Sequence, residues 1–206
     1  MARTVNPELH ARRRAAIVAA AAIEFAAHGI DGTSTAAICR RAGIGSGTLF
    51  HYFPTKQEIV HAVFADGFPS LAELCERALA EPDPDLGLNL VIDHLLGELI
   101  DPLAPGLASA AAVQANRDPE FASVLTTIDA TVQRTLTTLL RRAQKIPGRA
   151  LPLPPTSAAR WIQNLVDAGH LGVLDGLRGR TVKELRLIVA WLSGRELGVG
   201  DRSRGS

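Results

Sequence analysis

Residues 34–53, STAAICRRAGIGSGTLFHYF, leave the chain few ways to fold. Ser34 stands where a helix needs an N-cap, because its hydroxyl can accept from an otherwise unpaired amide of the first turn. Ile38, Cys39 and Ala42 then give a short helix one small apolar side. Gly43 follows, at the position where helices commonly close in a left-handed conformation that glycine adopts without steric cost. Ile44 is placed to plug the gap behind the turn, and Leu49 and Phe53, four residues apart, bring one face of a second helix inward. Ser46, Gly47, Thr48, Phe50, His51 and Tyr52 are left around the remaining surface. The predicted unit is a helix–turn–helix, an arrangement that offers its second helix to a DNA major groove.

Many αα-hairpins share that pattern and bind nothing, so the flanking residues decide. Upstream stand Ile17, Val18, Ala20, Ala21, Phe25 and Gly29, then Thr33, Ser34 and Ile38; downstream, Ala42-Gly43-Ile44 and Gly47-Thr48-Leu49-Phe50-His51-Tyr52-Phe53-Pro54-Thr55-Lys56. Over residues 12–64 this spacing resembles the TetR family of transcriptional regulators. The resemblance implies an all-α protein of about nine helices. A three-helix DNA-binding domain is expected at 7–54, a helical ligand-binding and dimerisation domain at 55–198, and a disordered tail at 199–206. It departs from the family at four places. Phe50 stands where tyrosine is frequent, Gly45 where an N-cap serine is frequent, and Ala37 where an acid would complete a capping box. Gly67-Phe68-Pro69 interrupts a fourth helix that is usually long.

Charge agrees with a nucleic-acid partner only once it is localised. The 206 residues carry a formal net charge of +1, but residues 1–60 hold seven Lys/Arg against four Asp/Glu while the remainder is slightly acidic. The basic part is the part with the helix–turn–helix, as phosphate neutralisation requires. Hydrophobic residues make up 47%, with no run matching a membrane span, and the polar, basic N-terminus carries no signal-type cleavage site. The expected location is the cytoplasm, with no membrane partner. Cys39 and Cys75 are too few for a disulfide framework and lack metal-ligand spacing. No phosphate-cradling loop, metal-spaced His/Glu set or nucleophile elbow is present, so neither an enzyme nor a cofactor is expected.

Caps and prolines divide the rest into helices. Asn6-Pro7-Glu8 opens helix one, which runs to His28 with Ile17, Ala21 and Phe25 inward. Arg12, Arg13 and Arg14 read as phosphate contacts or as a solvated arm. Thr55 with Glu58, Ser70 with Glu73, and Thr181 with Glu184 read as capping boxes. A loop is expected at 81–85 and helices at 86–100 and up to about 116. Asp118-Pro119-Glu120 launches a helix to about Lys145, and 147–155, PGRALPLPP, cannot be helical. Further helices are expected from Thr156 or Ser157 to about Asp175, and from Thr181 to near Leu197.

For DNA, Thr48 and Ser46 can bond base edges or phosphates, Gly47 permits close backbone approach, and Phe50 suits a thymine methyl group. Thr33 and Ser34 can reach the backbone through their hydroxyls. The resemblance implies phosphate contacts for His51, Tyr52 and Lys56. Lys56 would sit in a first helical turn, where the dipole disfavours a cation unless an anion is bound. Leu165, Ala168, Gly169 and Gly172, with Leu185, Ile188, Val189 and Leu192, form two stripes expected to pair across a two-fold axis, or else to pack only on their own domain's core. A dimer would bind a palindromic operator, its half-sites ~34–36 Å apart. The implied ligand pocket lies among helices four to seven. With Phe121, Trp161 and Trp191 its few available aromatics, it suits a small apolar effector. His94, Asn116, Arg117 and His170 are weaker candidates for polar anchors. Two other readings share the DNA-binding half: a regulator without a small-molecule inducer, protein-partnered or activating, and a nonspecific architectural DNA binder.

Overall fold

The computed structural model describes residues 7–172 and 178–195, with side chains for 7–170 and 180–195. Among the described residues the fold is all-α, with helices α1 (Pro7–Gly32), α2 (Thr35–Ala42), α3 (Ser46–Tyr52), α4 (Lys56–Ala65), α5 (Phe68–Ala80), α6 (Pro84–Glu98), α7 (Ala104–Ala115), α8 (Pro119–Ala143), α9 (Pro155–Gly172) and α10 (Arg178–Leu192). Two compact units divide the chain: Met1–Leu71 with Asp101–Asp129, and Ala72–Ile100 with Ala130–Ser206. The boundary expected after residue 54 does not coincide with this division, because α4, α7 and the start of α8 share a core with α1–α3. The tail at 199–206 and the expected helix end near Leu197 lie outside the described residues.

The first unit is built on α1. Ile17, Ala21 and Phe25 are buried at i, i+4 and i+8, and α1 packs against α2, α4 and α7. Its regular part ends where the sequence places the stop, since Gly29 takes φ 70°, ψ 170°, a region open essentially to glycine alone. Gly106 allows α7 to close on α1: a β-carbon there would lie 2.2 Å from the Ala26 carbonyl oxygen. Phe121, from the first turn of α8, is fully buried in the same core as Ile38, Leu49 and Ile59. By length and mean hydropathy (1.3) α1 could cross a membrane, yet its apolar face is spent on this core.

Several expected helix starts need correction. The break after α4 is present, with Asp66 as the C-cap of α4, and it separates α4 from α5. The new helix begins at Phe68, however, so Ser70 lies inside it and is not a cap. Asp83 N-caps α6 and Pro84 takes its first turn, which moves that start two residues earlier than expected. The same Asp-Pro logic that marks α8 applies at that point. Thr181 likewise falls within α10, where Glu184 pairs with Arg180 at 2.8 Å.

In the second unit Leu88, Val91, Ile92 and Leu96 of α6 are buried, as are Leu136, Leu139 and Leu140 of α8 and Ile162 of α9. Gly87 marks a tight crossing: a β-carbon there would sit 2.5 Å from the Ala78 carbonyl oxygen and 2.7 Å from Leu139. A polar lock lies at one edge. Arg149 makes two hydrogen bonds of 2.8 Å to the Asp85 carboxylate, and Arg195 adds one of 3.0 Å while also reaching Asn89. Arg142 donates to the carbonyls of Leu79, Glu81 and Pro82, satisfying backbone groups left open where α5 ends.

Candidate nucleic-acid interface

The turn between α2 and α3 is built as its residues dictate. Ser34 has extended backbone, and its hydroxyl oxygen accepts from the Ala37 amide at 3.1 Å. Gly43 closes α2 at φ 66°, ψ 33°. Gly45 occupies the N-cap of α3 without a side-chain bond. Leu49 and Phe53 are buried and Ile44 packs against the same core, which fixes the rotation of α3 about its axis. Ser46, Gly47, Phe50 and His51 are therefore exposed, while Thr48 and Tyr52 are half-buried. Phe50 keeps 46% of its area in water, a large apolar ring standing out from a short polar helix.

One of the expected contacts, Thr33, is placed differently, and Lys56 has a protein partner as well. Thr33 is 2% exposed, and its hydroxyl donates inward, 2.8 Å from the Gly29 carbonyl oxygen and 3.1 Å from that of Glu24. It ties the start of α2 to the end of α1 and does not offer its hydroxyl to a phosphate. Lys56 is the first residue of α4, whose N-cap Thr55 accepts from the Glu58 amide at 3.2 Å. The Lys56 ammonium donates to the Ile30 carbonyl oxygen, so a protein oxygen accounts for part of its stabilisation beside the helix dipole. An ammonium has two further protons to offer.

The charges around this surface are mostly paired. Glu24 is buried and bonded to Arg41; that hydrogen bond outweighs desolvation and lowers the carboxyl pKa, further helped by the charges of Arg41, His28 and Arg40. Arg14 bonds Asp66, which raises the guanidinium pKa, and its centre lies 5.0 Å from the Phe53 ring centroid. Arg12 and Arg13 are exposed. Asp118 caps α8 by accepting from the Phe121 amide at 3.0 Å; chiefly for that reason its pKa is lowered, with Gln114 and His61 adding to the effect. Gln57 of α4 also donates to Asp118.

His10 is not signalled by the sequence, since nothing in its spacing marks it. The fold sets its imidazole 4.6 Å from the Tyr52 ring and 6.5 Å from the His51 ring, centroid to centroid. Beside this cluster, Arg14, Tyr52, Phe53, Gln57, Glu58 and His61 are among the residues lining a cleft of about 420 Å³. A second, of about 360 Å³, lies between the end of α1 and α7. Among the described residues no group of three or more His, Cys, Asp or Glu side chains is placed to hold a metal ion.

The two stripes on α9 and α10 divide between the inside and the outside of their unit. Gly169, Leu185, Val189 and Leu192 are buried, and a β-carbon on Gly169 would meet Leu99 and Leu185 at 3.0 Å. Leu165 is half-buried, while Ala168 and Ile188 are exposed; Gly172 is the last residue of α9, and its surroundings lie outside the described side chains. The larger exposed apolar groups there are ones the spacing did not single out: Trp161, Leu187 and Trp191, exposed by 54%, 57% and 51%. Of the weaker anchors, Arg117 pairs with Asp31 and His94 lies 3.4 Å from Glu98. Asn116 is exposed, and the buried Nδ1 of His170 has no hydrogen-bond partner among the described residues.

Comparison with known proteins places this geometry. Residues 17–63 match the family described as "Bacterial regulatory proteins, tetR family". The HTH-type transcriptional regulator UidR of Escherichia coli K12 is 27% identical over 138 residues, which span 64% of this chain and 66% of that protein's length. A TetR transcription regulator from Haloarcula marismortui shares the fold with TM-score 0.71 and 16% identity, over 89% of this chain and 97% of its own. FadR of Bacillus subtilis, solved in complex with stearoyl-CoA, gives TM-score 0.64 and 20% identity, over 85% and 97%.

Proposed function

Because this chain belongs to the TetR family of DNA-binding transcriptional regulators, we propose that it is a cytoplasmic, homodimeric repressor, released from a palindromic operator by a small apolar ligand. The observation that carries the DNA-binding part is the rotation of α3. Burial of Leu49 and Phe53 turns Ser46, Gly47, Phe50 and His51 outward together, with Thr48 and Tyr52 at the edges. Thr48 and Ser46 then read base edges or phosphates, Phe50 takes thymine methyl groups, and His51, Tyr52, Lys56 and the exposed Ser34 hold the phosphate backbone. Thr33 acts from beneath, by fixing the start of α2.

Dimer formation through α9 and α10 is supported by their outward groups. Ile188 and Trp191 stand three apart, Leu187 and Trp191 four apart, and Trp161 heads an outward line with Leu165 and Ala168. Gly169, Leu185, Val189 and Leu192 support that face from inside the unit. The ligand class is supported by the buried aliphatic side chains of the second unit, Leu88, Val91, Ile92 and Leu96 of α6 with Leu136 and Leu139 of α8, and by the acyl-CoA complex of FadR. Release follows from differential affinity of the ligand for two conformations. A hundredfold loss of operator affinity corresponds to about 2.7 kcal/mol of coupling.

The test is fluorescence anisotropy on DNA from the region upstream of the protein's own coding sequence, against a scrambled duplex. A preference of ~10³ or more is expected. Thr48→Ala should relax it, and Lys56→Ala should weaken binding to both duplexes. Long-chain acyl compounds added to the complex should release the DNA. Equal binding to both duplexes, with no effect of Thr48→Ala, would overturn the reading.

A further inference from the structure

We propose that His10 on α1 is a further phosphate-binding residue, and that with His51 it makes DNA binding proton-linked. This inference rests on the reading of α3 as the DNA-facing helix. Three rings converge at the exposed end of that helix. His10 lies against Tyr52 at 4.6 Å with 37° between ring planes. His51 meets Tyr52 edge-on at 5.4 Å and 84°. The two imidazoles are 6.5 Å apart.

His51 is exposed and His10 half-buried, so neither ring is sealed from a ligand approaching Tyr52. Arg13, three residues on from His10 and exposed, extends the same side of α1. Two of the acids nearby are committed to other groups. Asp66 is bonded to Arg14, and Glu58 takes the Thr55 hydroxyl. Glu8 lies two positions before His10, and residues so spaced do not share a helix face. The groups around the rings are therefore Arg13, the paired Arg14 and two imidazoles, with Glu120 of α8 and His61 of α4 lining the cleft beside Tyr52.

A phosphodiester placed against Tyr52 favours the protonated form of both rings, because its negative charge is stabilised by a nearby imidazolium. A proton taken up on binding means that affinity rises as pH falls. The sign follows from linkage: the complex has the higher histidine pKa, so the gain is full below the free-protein pKa and is lost as pH rises through the bound one. Each protonated ring also displaces a counterion from DNA. The rings' mutual packing adds positioning, since an imidazolium over the tyrosine face steadies the phenol.

The experiment uses the full chain and the tightest duplex selected from a random-sequence pool. Anisotropy titrations run from pH 5.5 to 8.5 at constant ionic strength, on the wild type, His10→Gln, His51→Gln, the double variant and His10→Lys. Circular dichroism checks that each is folded. Wild-type affinity should rise on the order of tenfold or more from pH 8 to pH 6, through the ordinary histidine range. His10→Gln should remove about half of that slope and the double variant nearly all of it. His10→Lys should bind at pH 8 more tightly than the wild type does there, by about the half of the pH effect that His10→Gln removes, with a salt dependence about one unit steeper than that of His10→Gln. Parallel pH profiles for wild type and His10→Gln, or an unchanged salt dependence in His10→Lys, would overturn the proposal. If Thr48→Ala and Lys56→Ala leave DNA binding untouched, the α3 reading itself has failed and this inference fails with it.

Discussion

Arg149 and Asp85 meet through two parallel hydrogen bonds of 2.8 Å, and Arg195 approaches the same carboxylate from a second side. One acid thereby joins the start of α6, the segment between α8 and α9, and a residue three positions beyond α10. Hydrogen bonding to Arg149 is the main reason that the Asp85 pKa is lowered, with the charges of both arginines contributing, against desolvation. Asp85→Ala should destabilise the fold by about 1–3 kcal/mol, the range for losing charged hydrogen bonds and leaving partners behind. Because the folded pKa lies below the unfolded one, the stabilisation is present at neutral pH and is lost as pH falls through the folded value. Urea unfolding of both proteins at pH 7 and in steps below pH 4 should show the gap between them closing in acid.

Gly106→Ala probes the crossing of α7 over α1. Its new methyl would fall 2.2 Å from the Ala26 carbonyl oxygen, in backbone that has no flexible side chain to yield. Overpacking of this kind typically costs about 1–3 kcal/mol. The midpoint of thermal unfolding should drop, and a wild-type value would mean that the helices separate more readily than their packing suggests.

Thr33 and Thr48 should part company under substitution. Thr33→Val removes a buried hydroxyl that donates to Gly29 and Glu24, so stability should fall by about 1 kcal/mol. Its DNA affinity at low temperature, where the protein stays folded, should change little. Thr48→Ala, at the edge of the exposed face of α3, should do the reverse. Paired unfolding and anisotropy measurements separate the two.

The groups on α9 and α10 allow a similar contrast. Trp191→Ala, at a ring 51% exposed, should weaken self-association without lowering the stability of the protomer. Leu185→Ala, at a side chain 7% exposed, should cost about 2–5 kcal/mol of stability wherever the association equilibrium lies. Sedimentation equilibrium of Trp191→Ala against the wild type is the deciding measurement; equal dimer fractions would place the interface elsewhere.

The parts of this molecule that are legible in its sequence are those governed by single residues. Ser34, Gly43, Thr55 and Asp118 cap where capping chemistry says they should, and Gly29 ends the regular part of α1 at a backbone angle few other residues take. Boundaries blurred where two signals competed. Ser70 has the composition of a cap, yet α5 had already begun at Phe68. Side-chain direction was harder still. Helical periodicity finds a stripe such as Leu185, Val189 and Leu192, but it cannot tell whether the same chain or a second one fills it. Thr33 and His10 show the limit most clearly. One hydroxyl points inward and one imidazole joins a distant helix, and both facts depend on how α1 packs against its neighbours.

Phe121 belongs to the same apolar cluster as Leu49, although 72 positions separate them in the chain. The DNA-reading half is thus not a prefix that can be cut off and grafted onto another sensor. A chimaera that ended the transplanted portion at residue 66 would abandon Ala110 and Phe121, and it would ask a foreign pair of helices to fill their places. Exchanging specificity between relatives of this chain calls for carrying residues 101–129 along with the reading head, or for changing only the outward residues of α3.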